Sequence, residues 1–158
     1  MIQVVGVADM KVSRTASDVL VTYSLGSCVG VTMYDPRIRA GGLVHCMLPL
    51  STIDPEKART RPEMFTDTGL ALLLQKLFDL GAEKRTLIVK VAGASRLLDD
   101  NGVFRIGERN LAVLEKILEK NGIPIAAEDV GGTVARTMSL HLSSGKTVLK
   151  ISGKESVL

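Results

Sequence analysis

The chain is 158 residues long, 46% apolar and only 3% aromatic, with no tryptophan and a formal charge of +3. That is enough apolar chain to bury the core of one domain, residues 1–158. It offers little for base stacking. Lysines and arginines are interspersed with acidic residues, which excludes the basic stripe a nucleic-acid backbone requires.

In chain order, the opening M-I-Q-V-V-G-V-A-D-M-K lacks a basic stretch ahead of a long apolar core. It reads as a strand over Gln3–Ala8 rather than an export signal. The most apolar run, Leu70–Leu74, is too short to span a bilayer. A cytoplasmic protein that is not membrane-inserted is therefore expected, with both cysteines as reduced thiols. Further strands are predicted at Val19–Tyr23, Cys28–Tyr34 and Gly42–Leu48. The polar segment S-T-I-D-P-E-K-A-R-T-R-P-E follows, and its prolines argue against regular structure.

Phe65, Leu70, Leu73, Leu74, Leu77 and Phe78 recur at helical spacing, predicting a helix over 65–80 that stops at Gly81. Thr86–Ala92 reads as a buried strand, and Asp99-Asp100-Asn101-Gly102 as a turn. Leu111, Leu114, Ile117 and Leu118 mark a second amphipathic helix over 107–121, opened by R-I-G-E-R-N. Strands are then expected at Ile123–Glu128, Val134–Leu142 and Thr147–Ser152. In D-V-G-G-T, residues 129–133, the missing Walker lysine and following helix favour a tight turn over a phosphate loop. Helices and strands mix without βαβ alternation. The expectation is an α+β fold: a mixed, largely antiparallel sandwich packed with two main helices.

One stretch asks for a chemical explanation. S-L-G-S-C-V-G, Ser24–Gly30, strips the side chains away on both flanks of Cys28. Glycine lets another group approach closely, whereas a structural cysteine sits among bulky apolar neighbours. The pattern also fits G-x-nucleophile-x-G, but strand and turn follow where a hydrolase elbow needs a helix. What survives is a sharp backbone turn before the thiol.

The segment from Val29 to Leu48 reads as a hairpin, turning between Asp35-Pro36 and Gly41-Gly42. Pairing it about Arg37–Ile38 sets Cys28 opposite Met47 and His45 opposite Gly30. Cys28 and His45 then share a face as diagonal neighbours, roughly 7–8 Å apart at the backbone. Val29, Val31, Met33, Val44, Cys46 and Leu48 fill the other face as a core set, and a one-residue slip would bury the wrong side. On the Cys28 face, Gly26 and Gly30 leave room for a substrate. Thr22, just upstream, could orient the imidazole through its hydroxyl or its carbonyl.

Cys46 is expected to pack. Its opposite facing disfavours a disulfide or a shared zinc site with Cys28, and no metal or other cofactor is expected. His141 alternates with Met138, Leu140 and Leu142, so it reads as a solvent-side strand residue.

In combination and in this order, L-G-S-C-V (25–29), H-C-M-L-P (45–49), I-G-E-R-N (106–110) and D-V-G-G-T (129–133) resemble the chemoreceptor glutamine deamidase (CheD) family, over nearly the whole chain. The resemblance implies Cys28 as nucleophile, His45 as general base and acid, and Thr22 as the orienting third member. It implies hydrolysis of glutamine side chains on methyl-accepting chemotaxis receptors, through a thioester and with release of ammonia. It also implies a regulatory partner, the phosphatase CheC, and a fold related to deamidating toxins. The N–H groups of Ser27 and Cys28 are the candidate oxyanion hole. Two other functions stay open: a cysteine amidase of small molecules, and a non-catalytic module that only binds a signalling phosphatase.

Overall fold

A computed structural model of the chain describes residues 1–96 and 104–158, so the predicted turn at Asp99–Gly102 lies outside the described residues. Two five-stranded sheets stack face to face. One has the order β1-β3-β8-β9-β10, built from Ile2–Val4, Val19–Leu25, Arg136–His141, Lys146–Ile151 and Lys154–Val157. The other has the order β2-β5-β4-β6-β7, from Asp9–Ser13, Ala40–Cys46, Val29–Asp35, Ile88–Gly93 and Ile125–Val130. The β1–β3 and β6–β7 pairs are parallel and the other pairs antiparallel.

Helices α2 (Thr66–Asp79) and α3 (Ile106–Lys120) cover the outer face of the second sheet. Leu70, Leu73, Leu77, Leu114 and Leu118 meet Val29, Val31, Met33, Val44 and Cys46 in one apolar cluster. The inner face meets the first sheet through Leu20, Leu25, Leu43, Met138 and Leu140. Strands β4 and β5 are therefore buried along their whole length, on both faces. No helix among the described residues is long and apolar enough to cross a membrane.

Three elements depart from the sequence reading. The single N-terminal strand is two, one in each sheet, because Ala8 takes a left-handed conformation at φ 56° and the chain changes layers there. The segment expected to be irregular contains α1, Pro55–Thr60. Pro55 stands at its first turn, where no N–H is needed, and the Asp54 carboxylate accepts from the Lys57 N–H. The final edge strand β10 follows a turn at Ser152-Gly153, both at positive φ. The hairpin register is as read from the apolar pattern, with Gly30 paired to His45 and Val29 to Cys46.

Candidate active site

The two sheets are joined at the site by the short link from β3 to β4. β3 irregularly pairs with β8 between Thr22 and Leu25, and Ser24 there has φ 57°. This is the sharp turn expected ahead of the thiol. β3 resumes its pairing at Leu25, and Gly26–Cys28 then carry the chain out of that layer to β4 in the other, so Thr22 lies in the sheet facing β4 and β5. Thr22 thus reaches His45 across the sandwich, and not by a fold-back beside it.

The Thr22 hydroxyl donates to the Val5 carbonyl at 2.7 Å. Its proton is thereby committed, so at 2.7 Å from His45 Nδ1 the same oxygen can only accept. That assigns the proton of a neutral imidazole to Nδ1 and leaves Nε2 with a free lone pair. His45 is 0% exposed, and Nε2 is a buried atom with no hydrogen-bond partner among the described residues. Such an orphan is costly and rare outside functional sites.

Cys28 is half-buried and packs against the inner cluster, whereas Cys46 lies wholly within the outer one. The two thiols are free, on opposite faces of one sheet. Burial pushes the Cys28 thiol above its ordinary value, offset in part by its own backbone N–H. Burial likewise holds the His45 imidazole down, to about 4. A thiolate–imidazolium pair is therefore not preformed. Both shifts favour the uncharged forms of the two groups.

The Gly26–Cys28 loop is held by its carbonyls. Gly26 O accepts from the Ser95 N–H and Cys28 O from the Ala94 N–H, both at 2.8 Å. Gly93, at φ 107°, allows this approach, because a Cβ there would collide with the Cys28 carbonyl oxygen. Ser27 O accepts from Asn110 Nδ2 at 3.0 Å. With the Gly26 and Ser27 carbonyls held by these partners, the Ser27 and Cys28 N–H groups, each trans to its peptide's carbonyl, point away from them. Neither donates to another residue among those described. Beside Ser27 a cleft of about 410 Å³ opens between Ser95, Gly107 and the Gly131–Thr133 turn.

One sequence expectation is corrected here. Gly30 does not give room to a substrate: it is buried, and a Cβ on it would meet Leu25 Cδ1 at 2.7 Å and Met138 Sδ at 2.9 Å. The space belongs to packing between the sheets. Gly26 is half-exposed in the loop itself. His141 lies on the outer side of β8 while Met138 and Leu140 point inward, and only Ser139 Oγ approaches its ring, at 3.4 Å. Asn110 entered the sequence reading only as the last residue of I-G-E-R-N, with no role of its own. Its signal was a polar residue on the buried stripe Gly107, Asn110, Leu114, Leu118 of α3.

Comparison with known proteins identifies the family. A sequence model described as CheD chemotactic sensory transduction matches residues 47–151. A protein of Syntrophus aciditrophicus named probable chemoreceptor glutamine deamidase CheD 1 is 47% identical over 95% of this chain and 94% of its own. This chain belongs to the CheD family. A Solibacter usitatus protein named probable chemoreceptor glutamine deamidase CheD is 47% identical over 98% of this chain and 92% of its own. CheD 2 of Anaeromyxobacter dehalogenans, with the same probable assignment, is 41% identical over 92% of each. The CheD likeness thus spans the Gly26–Cys28 loop, β5 and both helices.

Proposed function

We propose that this CheD-family protein hydrolyses glutamine side chains of chemotaxis receptors to glutamate, with Cys28 as nucleophile, His45 as base and acid, and Thr22 as the orienting group. The observation that carries the reading is the Val5–Thr22–His45 chain of hydrogen bonds. It leaves an unprotonated, unpartnered Nε2 on the sheet face that also carries Cys28.

The resting protonation states dictate the order of events. As the glutamine carboxamide arrives, Nε2 takes the thiol proton and Sγ attacks the side-chain carbonyl carbon. The Ser27 and Cys28 N–H groups receive the developing oxyanion, where one donor is typically worth about 3–4 kcal/mol. As the C–N bond breaks, the Nε2 proton passes to the departing nitrogen and ammonia leaves. Water, deprotonated by the same Nε2, then cleaves the thioester to give glutamate and the free thiol. Because Nε2 has no partner before substrate arrives, its contact with the thiol tightens in the complex.

The cleft beside Ser27 gives a receptor segment its approach, and a phosphatase of the CheC type would compete for the same opening. Incubation with a chemoreceptor cytoplasmic domain tests the function, read by site-resolved mass analysis. The expected result is conversion of particular glutamines to glutamate with equimolar ammonia. Release of ammonia from free glutamine or short amides, with the receptor untouched, would overturn it.

A further inference from the structure

Among the fully buried polar side chains the mechanism does not use, one touches the segment that carries Cys28. Asn110, on the second turn of α3, is 0% exposed, and its carboxamide makes three bonds. Nδ2 donates to the Ser27 carbonyl and to the Met47 carbonyl, each at 3.0 Å. Oδ1 accepts from the Thr66 hydroxyl at 3.3 Å. The first carbonyl immediately precedes the thiol. The second lies just beyond the histidine strand, two residues after His45. One side chain therefore spans the two segments that carry the reacting groups.

We propose that Asn110 is a positioning residue for the reaction, fixing the Ser27–Cys28 peptide so that the Cys28 N–H is aimed at the reacting sulfur and the oxyanion. The argument is geometric. The bond between Ser27 and Cys28 is trans, so holding its C=O on the α3 side commits its N–H to the opposite side. The neighbouring carbonyls, Gly26 O and Cys28 O, are held by strand-end amides of Ser95 and Ala94. Ser27 O is the one that depends on a side chain. Removing the carboxamide frees that single peptide to rotate while its neighbours stay in place.

Gly107 shows how the helix comes near enough. A Cβ there would lie 2.7 Å from the Ala94 carbonyl carbon and oxygen and from Ser95 O, so α3 rests directly on the end of β6. Asn110 follows one turn later, at the height of the nucleophile loop.

This inference rests on Cys28 being the nucleophile, and its test is read without receptor. Alkylation of the full-length protein by iodoacetamide is followed across pH 6–10, with the Cys28 and Cys46 peptides resolved by mass. Buried Cys46 reports unfolding in the same sample. In Asn110→Ala the Cys28 midpoint is expected to rise by about one pH unit with Cys46 still protected, because the thiolate loses an oriented N–H. On receptor, kcat falls at least about tenfold while KM stays within about twofold, the pattern of a lost transition-state donor. A wild-type midpoint in folded Asn110→Ala overturns the proposal.

Should Cys46 open in that variant, the same profile is read in Asn110→Ser, which keeps a donor and leaves room for a water. There a smaller upward shift supports the proposal and an unchanged midpoint overturns it. An active Cys28→Ala protein would remove the nucleophile reading without altering this thiol profile, so the two failures are distinguishable.

Discussion

The two faces of the β4–β5 hairpin are buried alike and built for different ends. Toward the helices, Val29, Val31, Met33, Val44 and Cys46 meet leucines of α2 and α3, and Cys46 is sealed completely. Toward the other sheet, the same strands present Gly30, Thr32 and His45, and the facing layer answers with Thr22 and Thr147. Thr32 and Thr147 satisfy each other at 2.7 Å, whereas His45 is satisfied at Nδ1 and left open at Nε2. Burial alone therefore does not distinguish the two faces. An unmatched polar atom does, since a purely structural interior would have paired or replaced it.

The largest effect expected of that contrast is a pH dependence confined to the inner face. His45 titrates at about 4 when folded, against an ordinary value of 6.5. Between those values the unfolded chain binds the extra proton. The contribution to stability is thus whole above pH 6.5 and is lost as pH falls to 4, by up to about 3 kcal/mol. Thermal unfolding followed from pH 7 to 4 should show this decline, and His45→Leu should flatten it. An equal decline in His45→Leu would assign the effect elsewhere.

Thr22→Val sharpens the comparison at a smaller scale. It keeps the volume and leaves the Nδ1 proton without its acceptor, a loss of about 1–3 kcal/mol in stability. The imidazole is then free to change tautomer, and kcat should fall about 10- to 100-fold with KM little changed. Steady-state kinetics on a receptor domain check this, and unaltered kcat would deprive Thr22 of its orienting role.

The smallest effect belongs to the outer face. Cys46→Ala removes one buried sulfur beside Gly69 of α2 and should cost on the order of 1 kcal/mol while leaving activity within about twofold. A large loss of activity with the fold intact would place the chemistry on both faces.

What the sequence disclosed was what periodicity and pairing encode. Alternation of Val29, Val31 and Met33 against Val44 and Cys46 was enough to set the register, and hence to place Cys28 and His45 on one face. Helical spacing likewise marked α2 and α3. What it concealed depends on distant partners. The pattern gave no sign that the chain changes sheets at Ala8 and again between Leu25 and Val29, so Thr22 was placed only as lying just upstream of the hairpin when it is a residue of the opposite layer. The small residue at Gly30 suggested open space, yet Leu25 and Met138 fill it from that layer. Pro55 looked like a breaker because the Asp54 cap that makes it a helix start is a contact three residues away. Burial, which raises the Cys28 thiol and lowers the His45 imidazole, is likewise a property of the packed sandwich that no local pattern encodes.

The central claim is that the sulfur on the inner face does the chemistry. Wild-type protein and Cys28→Ala are incubated side by side with a chemoreceptor cytoplasmic domain, and every receptor glutamine is read by mass. The expected result is conversion by the wild type alone, with the two proteins unfolding at closely similar temperatures. Conversion that persists in a folded Cys28→Ala protein would contradict it.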